Sequence, residues 1–214
     1  MVQMNNIGKP QSLRLLLRRI FTETLARIDV AGYFAKIIRI EGSTVHLDGL
    51  SYDLAIFHRV LILSIGKAAF PMANVVVRNI LAATSPDRVQ ALAIGVGDPS
   101  ILPEPVEVIF GAHPITNENS RIAAIRASQL LSACTAEDLV LFLISGGSSA
   151  LMELPVDRSI TLEEPADFTR ALIHSGLNIM EMNALRKHFS AVKGGRLAAL
   201  AGQATQCTLL ISDV

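Results

Sequence analysis

The stretch that decides the fold of this protein is Leu139–Ser149, which has the sequence LVLFLISGGSS. The apolar run Leu139–Ile144 is short and uninterrupted, which is typical of a strand that is buried on both faces of a parallel sheet. The residues after Ile144 are serines and glycines, which favour turns. We therefore interpret the stretch as a buried parallel strand followed by a glycine loop.

Four further short apolar runs follow the same plan. They are Val60–Leu63, Ala91–Val96, Val106–Phe110 and Thr208–Ile211. Helical patterns accompany these runs, at about residues 68–81, 119–131, 163–177 and 179–200. This alternation predicts an α/β fold, with a parallel, Rossmann-like sheet covered by helices on both faces in three layers. Before the first run, the sequence predicts a helix over residues 12–29 and a hairpin of Ile37–Ile40 with Val45–Leu47.

The composition fits a single α/β domain over residues 1–214. Half of the 214 residues are hydrophobic and 5% are aromatic, which predicts a large aliphatic core. Lys+Arg and Asp+Glu number 19 each, so we expect neither nucleic acid nor a membrane as partner. The two distant cysteines, Cys134 and Cys207, suit a reducing compartment, which we expect to be the cytoplasm. No apolar run approaches the roughly 20 residues of a membrane span.

The N-terminal segment allows two interpretations. Its basic residues are Lys9, Arg14, Arg18 and Arg19. No acidic residue precedes Glu23, a composition that resembles a transit peptide. The alternative is an ordinary amphipathic helix with one buried apolar stripe. That stripe would consist of Leu13, Leu16, Leu17 and Ile20. We favour the helix, because the pattern continues smoothly beyond this stripe.

Polar residues follow each of the five predicted strands. These tips are Ser64–Lys67, Gly97-Asp98, Gly111–Pro114, Ser145–Ser149 and Ser212-Asp213. In open parallel sheets, ligands bind outside the carboxyl ends of the strands. We therefore expect the five tips to converge on one binding cleft, although turn chemistry alone also enriches Gly, Asp and Ser. At the last tip, Asp213 is a candidate Mg²⁺ ligand or base, and Asp98 and Glu153 are weaker candidates.

Two of these tips carry the clearest signals for an anion. One is the loop of Ser145, Gly146, Gly147, Ser148 and Ser149, which has the composition of a phosphate cradle or, alternatively, of a glycine turn with a serine cap. The other is Gly66-Lys67, because a cation in the first turn of a helix opposes the helix dipole by about 0.3–1 kcal/mol. An anion beside Lys67 would explain that cost; the alternative is a solvated surface lysine.

The segment Ser175–Arg196 predicts a helix with an apolar stripe and basic flanks. The stripe, which we expect to be buried, consists of Met182, Leu185, Phe189 and Val192. The flanks carry Asn183, Arg186, Lys187, Ser190 and Lys193. Such a flank, beside the helix break at Gly194-Gly195, could reach an acidic substrate. The commoner alternative for any one of these residues is a solvated charged face.

Taken together, these stretches resemble the class II glycerate kinases, the glycerate 2-kinases of the MOFRL type. They keep the order and spacing of that family over most of the chain. The matching stretches are Ser64–Ala69, Ala112–Pro114, Leu143–Leu151, Ser175–Asn183, Arg186–Ser190, Lys193–Ala198 and Ser212–Val214. Two departures are Ser148, where the family usually has a third glycine, and Thr116-Asn117, where it usually has Pro-Asp.

The resemblance implies phosphorylation of D-glycerate to 2-phosphoglycerate with ATP and Mg²⁺, in a cleft between two α/β domains. It includes Lys67 among the active-site residues, and we expect Asp213 to act with it and to bind Mg²⁺. The expected substrate- and phosphate-binding residues are Gly66, Ser145, Gly146, Gly147, Ser148, Ser149, Asn183, Arg186, Lys187 and Lys193. Family members continue into a second region about as long again, so we expect this chain to be the first domain and a C-terminal domain to complete the site. The resemblance leaves room for a homodimer.

Three other functions stay open on the sequence. The chain could be a non-catalytic remnant or a module that binds phosphate or carboxylate. A sugar-phosphate isomerase-like domain also uses Ser/Gly loops at strand tips. Relatives of the glycerate kinases have been called hydroxypyruvate reductases, but Gly95-Val96-Gly97 lacks the third glycine of a dinucleotide fingerprint, since position 100 is Ser.

Overall fold

Two helices and a small antiparallel sheet come first in the chain. The computed structural model describes residues 9–27, 29–111, 116–157, 159–160 and 163–212. Helix α1 spans Lys9–Arg27 and α2 spans Val30–Ile37; strands β1, β2 and β3 are Ile38–Glu41, Thr44–Leu47 and Leu50–Asp53. The predicted hairpin is therefore a three-stranded meander, and α2 is an additional helix that lies mostly between the predicted first helix and the predicted hairpin.

Local sequence explains both additions. Asp29 accepts hydrogen bonds from the N–H groups of Ala31 and Gly32, so its side chain caps a new helix two residues after α1. Asp48 and Gly49 both have positive φ, at 45° and 87°, which makes the tight turn that returns the chain into β3.

Five parallel strands form the main sheet and confirm the predicted α/β fold. They are β4 (Arg59–Ile65), β5 (Val89–Gly95), β6 (Val106–Phe110), β7 (Asp138–Ile144) and β8 (Thr205–Leu210). The helices after β4 are α3 (Ala69–Ala83), α4 (Glu118–Ser132), α5 (Ser148–Leu151), α6 (Glu163–His174), α7 (Ile179–Phe189) and α8 (Arg196–Leu200). Each predicted apolar run overlaps one of these strands, although Val96 and Ile211 lie just beyond β5 and β8, and β8 begins three residues earlier than predicted.

The strand order places a topological switch point between β4 and β7. The sheet has the order β6-β5-β4-β7-β8. Counted along the chain, this order is 3-2-1-4-5, which is the order of the Rossmann fold. The chain builds outwards from β4 on one side and then crosses to β7 on the other. In such sheets the connections diverge at the switch point and leave a crevice at the carboxyl ends of the two strands.

Alternate residues of the strands supply two hydrophobic cores. Ile62 packs with α3 and the antiparallel sheet on one face, whereas Leu61 and Leu63 pack with α4 on the other. The first core also includes Phe34 of α2. The second core includes Val192, from the segment between α7 and α8. The sheet is thus buried on both faces, which explains the continuous apolar runs of β4 and β7.

Two of the predicted buried stripes are wrong. In α1, Leu13, Leu16, Leu17 and Ile20 are each more than half exposed. In the second stripe only Val192 is buried, while Leu185 and Phe189 are exposed. The reason is that the helix predicted over 179–200 ends at Phe189, so Val192 lies in a separate segment. The Phe189 ring packs on Phe168 of α6, with 5.0 Å between the ring centroids, rather than on the sheet.

A buried ion pair closes the amino end of the central strands. Arg59, at the start of β4, donates to Asp138, at the start of β7, over 2.9 Å. The Asp138 side chain is 3% exposed and also accepts from the Thr135 N–H group over 2.8 Å. Burial alone would raise the pKa of Asp138, but these hydrogen bonds hold it below its usual range. No helix of the described residues is long and apolar enough to cross a membrane.

Candidate functional site

The carboxyl ends of β4 and β7 are joined by backbone hydrogen bonds. The Lys67 N–H group donates to the Gly146 carbonyl over 2.9 Å, and the Ser145 N–H group donates to the Ile65 carbonyl over 3.0 Å. The Ala68 N–H group donates to the Ser145 Oγ atom over 3.0 Å. The two predicted tips with the clearest anion signals are therefore one structural unit at the switch point.

Gly66 allows the two tips to approach this closely. Its φ is +131°, and a Cβ atom there would lie 2.1 Å from the Ser145 Oγ atom and 2.7 Å from the Ser145 carbonyl oxygen. Any larger residue would therefore clash with both the backbone and the side chain of the glycine loop. The contribution of Gly66 to the site is steric, because it lets β4 and β7 end side by side.

Two serine hydroxyls of the loop form hydrogen bonds within the protein. The Ser145 hydroxyl is buried and accepts from Ala68. The Ser148 hydroxyl donates to the Ile65 carbonyl over 3.0 Å and also lies close to the Ser145 carbonyl. Both hydroxyls therefore take part in the junction of β4 and β7, Ser145 as an acceptor and Ser148 as a donor. The Ser149 side chain is exposed, and Ser148 and Ser149 both line the neighbouring cleft.

The basic helix α7 is held above the loop by its own C-terminal segment. The Ala191 N–H group donates to the Leu154 carbonyl over 2.7 Å, and the Val156 N–H group donates to the Phe189 carbonyl over 3.0 Å. Arg186 then reaches across and donates to the Ser149 carbonyl over 3.2 Å. These contacts fix the basic flank of α7 against the glycine loop.

A cleft of about 280 Å³ lies between the loop and the basic segment. It brings together six of the predicted binding residues, namely Ser148, Ser149, Asn183, Arg186, Lys187 and Lys193. Ile65, Ile144, Met152, Val192, Gly194 and Leu197 complete its lining. Residues from the end of β4, from the glycine loop and from the segment of α7 and α8 thus meet at one place.

The remaining predicted site residues stand in different relations to this cleft. Gly66, Ser145, Gly146 and Gly147 form the junction next to it. Lys67 is exposed and joins the junction through its backbone, and among the described residues its side chain forms no ion pair. Asp213 and residues 112–115, which include the predicted His113-Pro114 tip, lie outside the described residues.

Glu153, which was only a weaker candidate than Asp213 in the sequence, lies beside the site. Its carboxylate is paired with the Lys193 ammonium, and the two side chains are 16% and 11% exposed. Burial lowers the pKa of Lys193 and the charge of Arg186 acts in the same direction, whereas Glu153 opposes both. One signal was available, because Glu153 is the one charged residue between Asp138 and Asp157.

The side chains of the cleft suit an anion better than a bare metal ion. Arg186, Lys187 and Lys193 supply three positive charges, and Glu153 offsets one of them. Over the described parts of the chain, no group of three or more His, Cys, Asp and Glu residues could hold a metal ion. Cationic side chains beside a glycine loop suit a phosphate or a carboxylate.

The fold and the cleft define the class of this protein: a Rossmann-order α/β domain with a cationic crevice at its switch point. The chain belongs to the DUF4147 family, described as a domain of unknown function, whose model matches residues 16–214. This assignment agrees with the fold and with the motif set from which it was predicted.

Named relatives confirm the resemblance to glycerate 2-kinases. The chain is 37% identical over 156 residues to the D-glycerate 2-kinase of Thermotoga maritima, with 73% of this chain and 36% of that protein covered. It is 34% identical over 196 residues to the glycerate 2-kinase of Pyrococcus horikoshii, with 92% and 42% covered. A solved Pyrococcus horikoshii protein superposes on 100% of this chain and 45% of its own, with a TM-score of 0.77 and 31% identity. The chain spans less than half the length of these relatives.

Proposed function

We propose that this chain takes part in the transfer of a phosphoryl group from ATP to D-glycerate, giving 2-phosphoglycerate, and supplies one wall of the active site. The observation that carries the proposal is the cationic cleft at the switch point between β4 and β7. Phosphoryl transfer depends mainly on positioning of the reacting groups and on neutralisation of the phosphate charge. A fixed cluster of cations can serve both purposes. The names of the two kinase relatives supply the proposed substrate.

We assign the residues roles that follow from their places. Arg186 and Lys193 neutralise a phosphate or carboxylate in the cleft. Lys187, which is in α7 like Arg186, adds a further positive charge. The backbone of Gly146 and Gly147 provides N–H donors beside them. Lys67, whose charge is unpaired among the described residues, acts from the other side of the loop on the glycerate carboxylate or the transferring phosphate.

The cleft is small for the whole of ATP. Ligand pockets commonly measure about 300–1,000 Å³, and this one has about 280 Å³. It suits the phosphates or the glycerate, and the rest of the nucleotide then lies against a second region like the one that makes the relatives longer. Apolar side chains exposed on α6 and α7, including Ile173, Met180 and Phe189, are a surface that such a region would cover.

Mg²⁺ does not fit the described residues of the cleft by themselves. Glu153 is the carboxylate beside the cleft, and its pairing with Lys193 commits it to another partner. Asp213, just beyond the described end of β8, stays our proposed Mg²⁺ ligand, with further ligands from the nucleotide phosphates or the second region. When bound, Mg²⁺ would offset phosphate charge.

A coupled assay for ADP release tests the proposal. The complete chain, kept through Val214 so that Asp213 is retained, is fused to the C-terminal region of the Pyrococcus horikoshii relative and supplied with D-glycerate, ATP and Mg²⁺. We expect glycerate-dependent turnover that falls at least tenfold in the Arg186→Gln variant of the same fusion. A folded fusion without glycerate-dependent turnover would contradict the proposal.

A non-catalytic binding module is the second candidate, favoured by a cleft whose lining, among the described residues, holds cations but no carboxylate that could act as a base. Calorimetry of the 214-residue chain with ATP and with D-glycerate separates the two candidates. Binding by the isolated chain, with no turnover in the fusion, would favour the module. Turnover by the 214-residue chain alone would exclude it.

A further inference from the structure

Lys193 is the most enclosed of the three cations that line the cleft. Its side chain is 11% exposed, whereas Arg186 is half-buried and Lys187 is exposed. Its ammonium donates to the Met152 carbonyl over 3.3 Å and to the Glu153 carboxylate. An ammonium has three N–H donors, so one donor is left for a ligand in the cleft.

Glu153 is itself fixed, and it does not line the cleft. Its second carboxylate oxygen accepts from the Leu154 N–H group over 3.0 Å, and its own N–H group donates to the Ser120 carbonyl over 3.1 Å. The lining residues include its neighbour Met152 and its partner Lys193, but not Glu153. Glu153 therefore stands behind Lys193 and acts on the cleft through it.

The other charged side chains that the structure describes next to Lys193 are positive. Arg186 and Lys187 line the same cleft from α7. Arg196 of α8 donates to the Lys187 carbonyl over 2.7 Å. Among the described residues, Glu153 is the one carboxylate that forms an ion pair with a cation of the cleft. A buried lysine among cations would lose its proton easily, because burial and like charge both disfavour the ammonium form.

We infer that Glu153 is a positioning residue, whose carboxylate holds the Lys193 ammonium in place and in its charged form at the wall of the cleft. The identity of the anion that Lys193 meets rests on the proposed function, but the dependence of Lys193 on Glu153 does not. A ligand phosphate would take the free N–H donor while Glu153 keeps the other side of the ammonium occupied.

A titration of the lysine side chains tests the inference without any ligand. The chain has five lysines, so ¹³C-labelled Cε resonances can be followed by NMR, and Lys193→Arg identifies the resonance of Lys193. In the Glu153→Gln variant, the titration midpoint of the Lys193 ammonium should fall by about one pH unit, because the negative charge that stabilises the ammonium is lost. In Glu107→Gln, which removes a carboxylate from an exposed ion pair elsewhere, it should not move. An unchanged midpoint in Glu153→Gln would overturn the inference.

If Glu153→Gln does not fold, Glu153→Asp gives the same test with the charge retained but withdrawn by one methylene. The midpoint should then fall by a smaller amount, and an unchanged midpoint would again overturn the inference. Binding of inorganic pyrophosphate supplies a second readout. Glu153→Gln should lose more affinity at pH 9 than at pH 7, and Glu153→Gln with Lys193→Arg should lose that pH dependence, because arginine stays charged.

The two readouts separate the inference from the proposed function. Equal loss of pyrophosphate affinity at both pH values would point to a merely structural role and would contradict the inference. A chain that binds no pyrophosphate at either pH would count against the proposed function alone, since the Lys193 midpoint is measured in the free protein.

Discussion

The two ends of the β4–β7 pair carry charge in opposite ways. At the amino end, Arg59 and Asp138 neutralise each other, and Thr135 and the Ala133 carbonyl take up further donors and acceptors. At the carboxyl end, about 20 Å away for seven residues of strand, three cations face one carboxylate. The first end is closed upon itself, whereas the second has charge and N–H donors left over.

This difference separates structural charge from functional charge. Breaking a buried ion pair lowers the free energy of unfolding strongly, because the remaining charge is left buried without compensation. The excess positive charges at the switch point repel one another, which lowers the stability of the fold. An anion that binds there would relieve this repulsion. Changes at the amino end should therefore alter stability alone, and changes at the carboxyl end should alter anion binding.

The largest effect is expected for Asp138→Asn, which leaves the half-buried Arg59 without its counter-charge. The free energy of unfolding should fall by about 3 kcal/mol. Pyrophosphate affinity of the folded protein should stay within about twofold of the parent, because the change lies at the far end of the strands. Urea unfolding measures the stability and calorimetry measures the affinity. A tenfold loss of affinity would show that the amino end also contributes to anion binding.

The pH dependence of the same variant checks the cause. The pKa of Asp138 is lower in the folded protein, so its contribution is present above the unfolded pKa of about 3.9 and is lost as the pH falls through the folded value. The difference in unfolding free energy between parent and variant should therefore shrink from pH 7 towards pH 2. A constant difference would mean that packing, rather than charge, is lost.

Gly66→Ala should have the next largest effect, at the carboxyl end. A Cβ atom at Gly66 meets the backbone and hydroxyl of Ser145, so we expect about 2–3 kcal/mol of destabilisation. Gly97→Ala is the matched control, since Gly97 also has positive φ, at +104°, but has nothing within 4 Å of a Cβ atom. Thermal unfolding of both variants isolates the clash, and equal losses would contradict it.

How far the sequence predicts this molecule depends on the range of the interactions. The strands of the sheet were predictable, because a strand buried on both faces needs an unbroken apolar run whatever its neighbours are. The stripes of α1 and α7 were not, because periodicity shows that a helix has an apolar side but not what covers it. In α7 the stripe meets Phe168 and solvent instead of the sheet.

The candidate site was predictable as a set of residues but not as a set of bonds. The rule that ligands bind at strand ends was enough to select the glycine loop and the basic flank. That rule could not show that the Ser145 and Ser148 hydroxyls form hydrogen bonds within the β4–β7 junction. Nor could it show that Glu153 pairs with Lys193, 40 residues further along the chain. Such pairings depend on side-chain positions that only the packed chain defines.

Arg186→Gln should affect binding more than stability. We expect pyrophosphate affinity to fall about tenfold, because a charge-assisted donor is lost from the cleft. Unfolding should change little, because Arg186 is only half-buried and its hydrogen bond goes to one carbonyl. Arg170→Gln on α6 makes the same change of charge outside the cleft, and an equal loss of affinity there would point to net charge alone.

The smallest effect is expected for Glu107→Gln, which breaks the ion pair with Arg126 on the surface. That pair is 40% and 36% exposed, and exposed pairs contribute about 0.5 kcal/mol or less. Both the unfolding midpoint and the pyrophosphate affinity should stay close to the parent values. A loss as large as that of Asp138→Asn would show that burial does not separate the two kinds of pair.

The central claim is that the carboxyl end of β4 and β7 takes a phosphate-bearing ligand. A pyrophosphate titration of the ¹⁵N-labelled chain, followed by amide NMR, tests it most directly. We predict that the largest amide chemical-shift changes occur at residues 145–149 and 183–194, with little change around Arg59 and Arg88. Shifts confined to the amino end, or no saturable shifts in a folded chain, would contradict it.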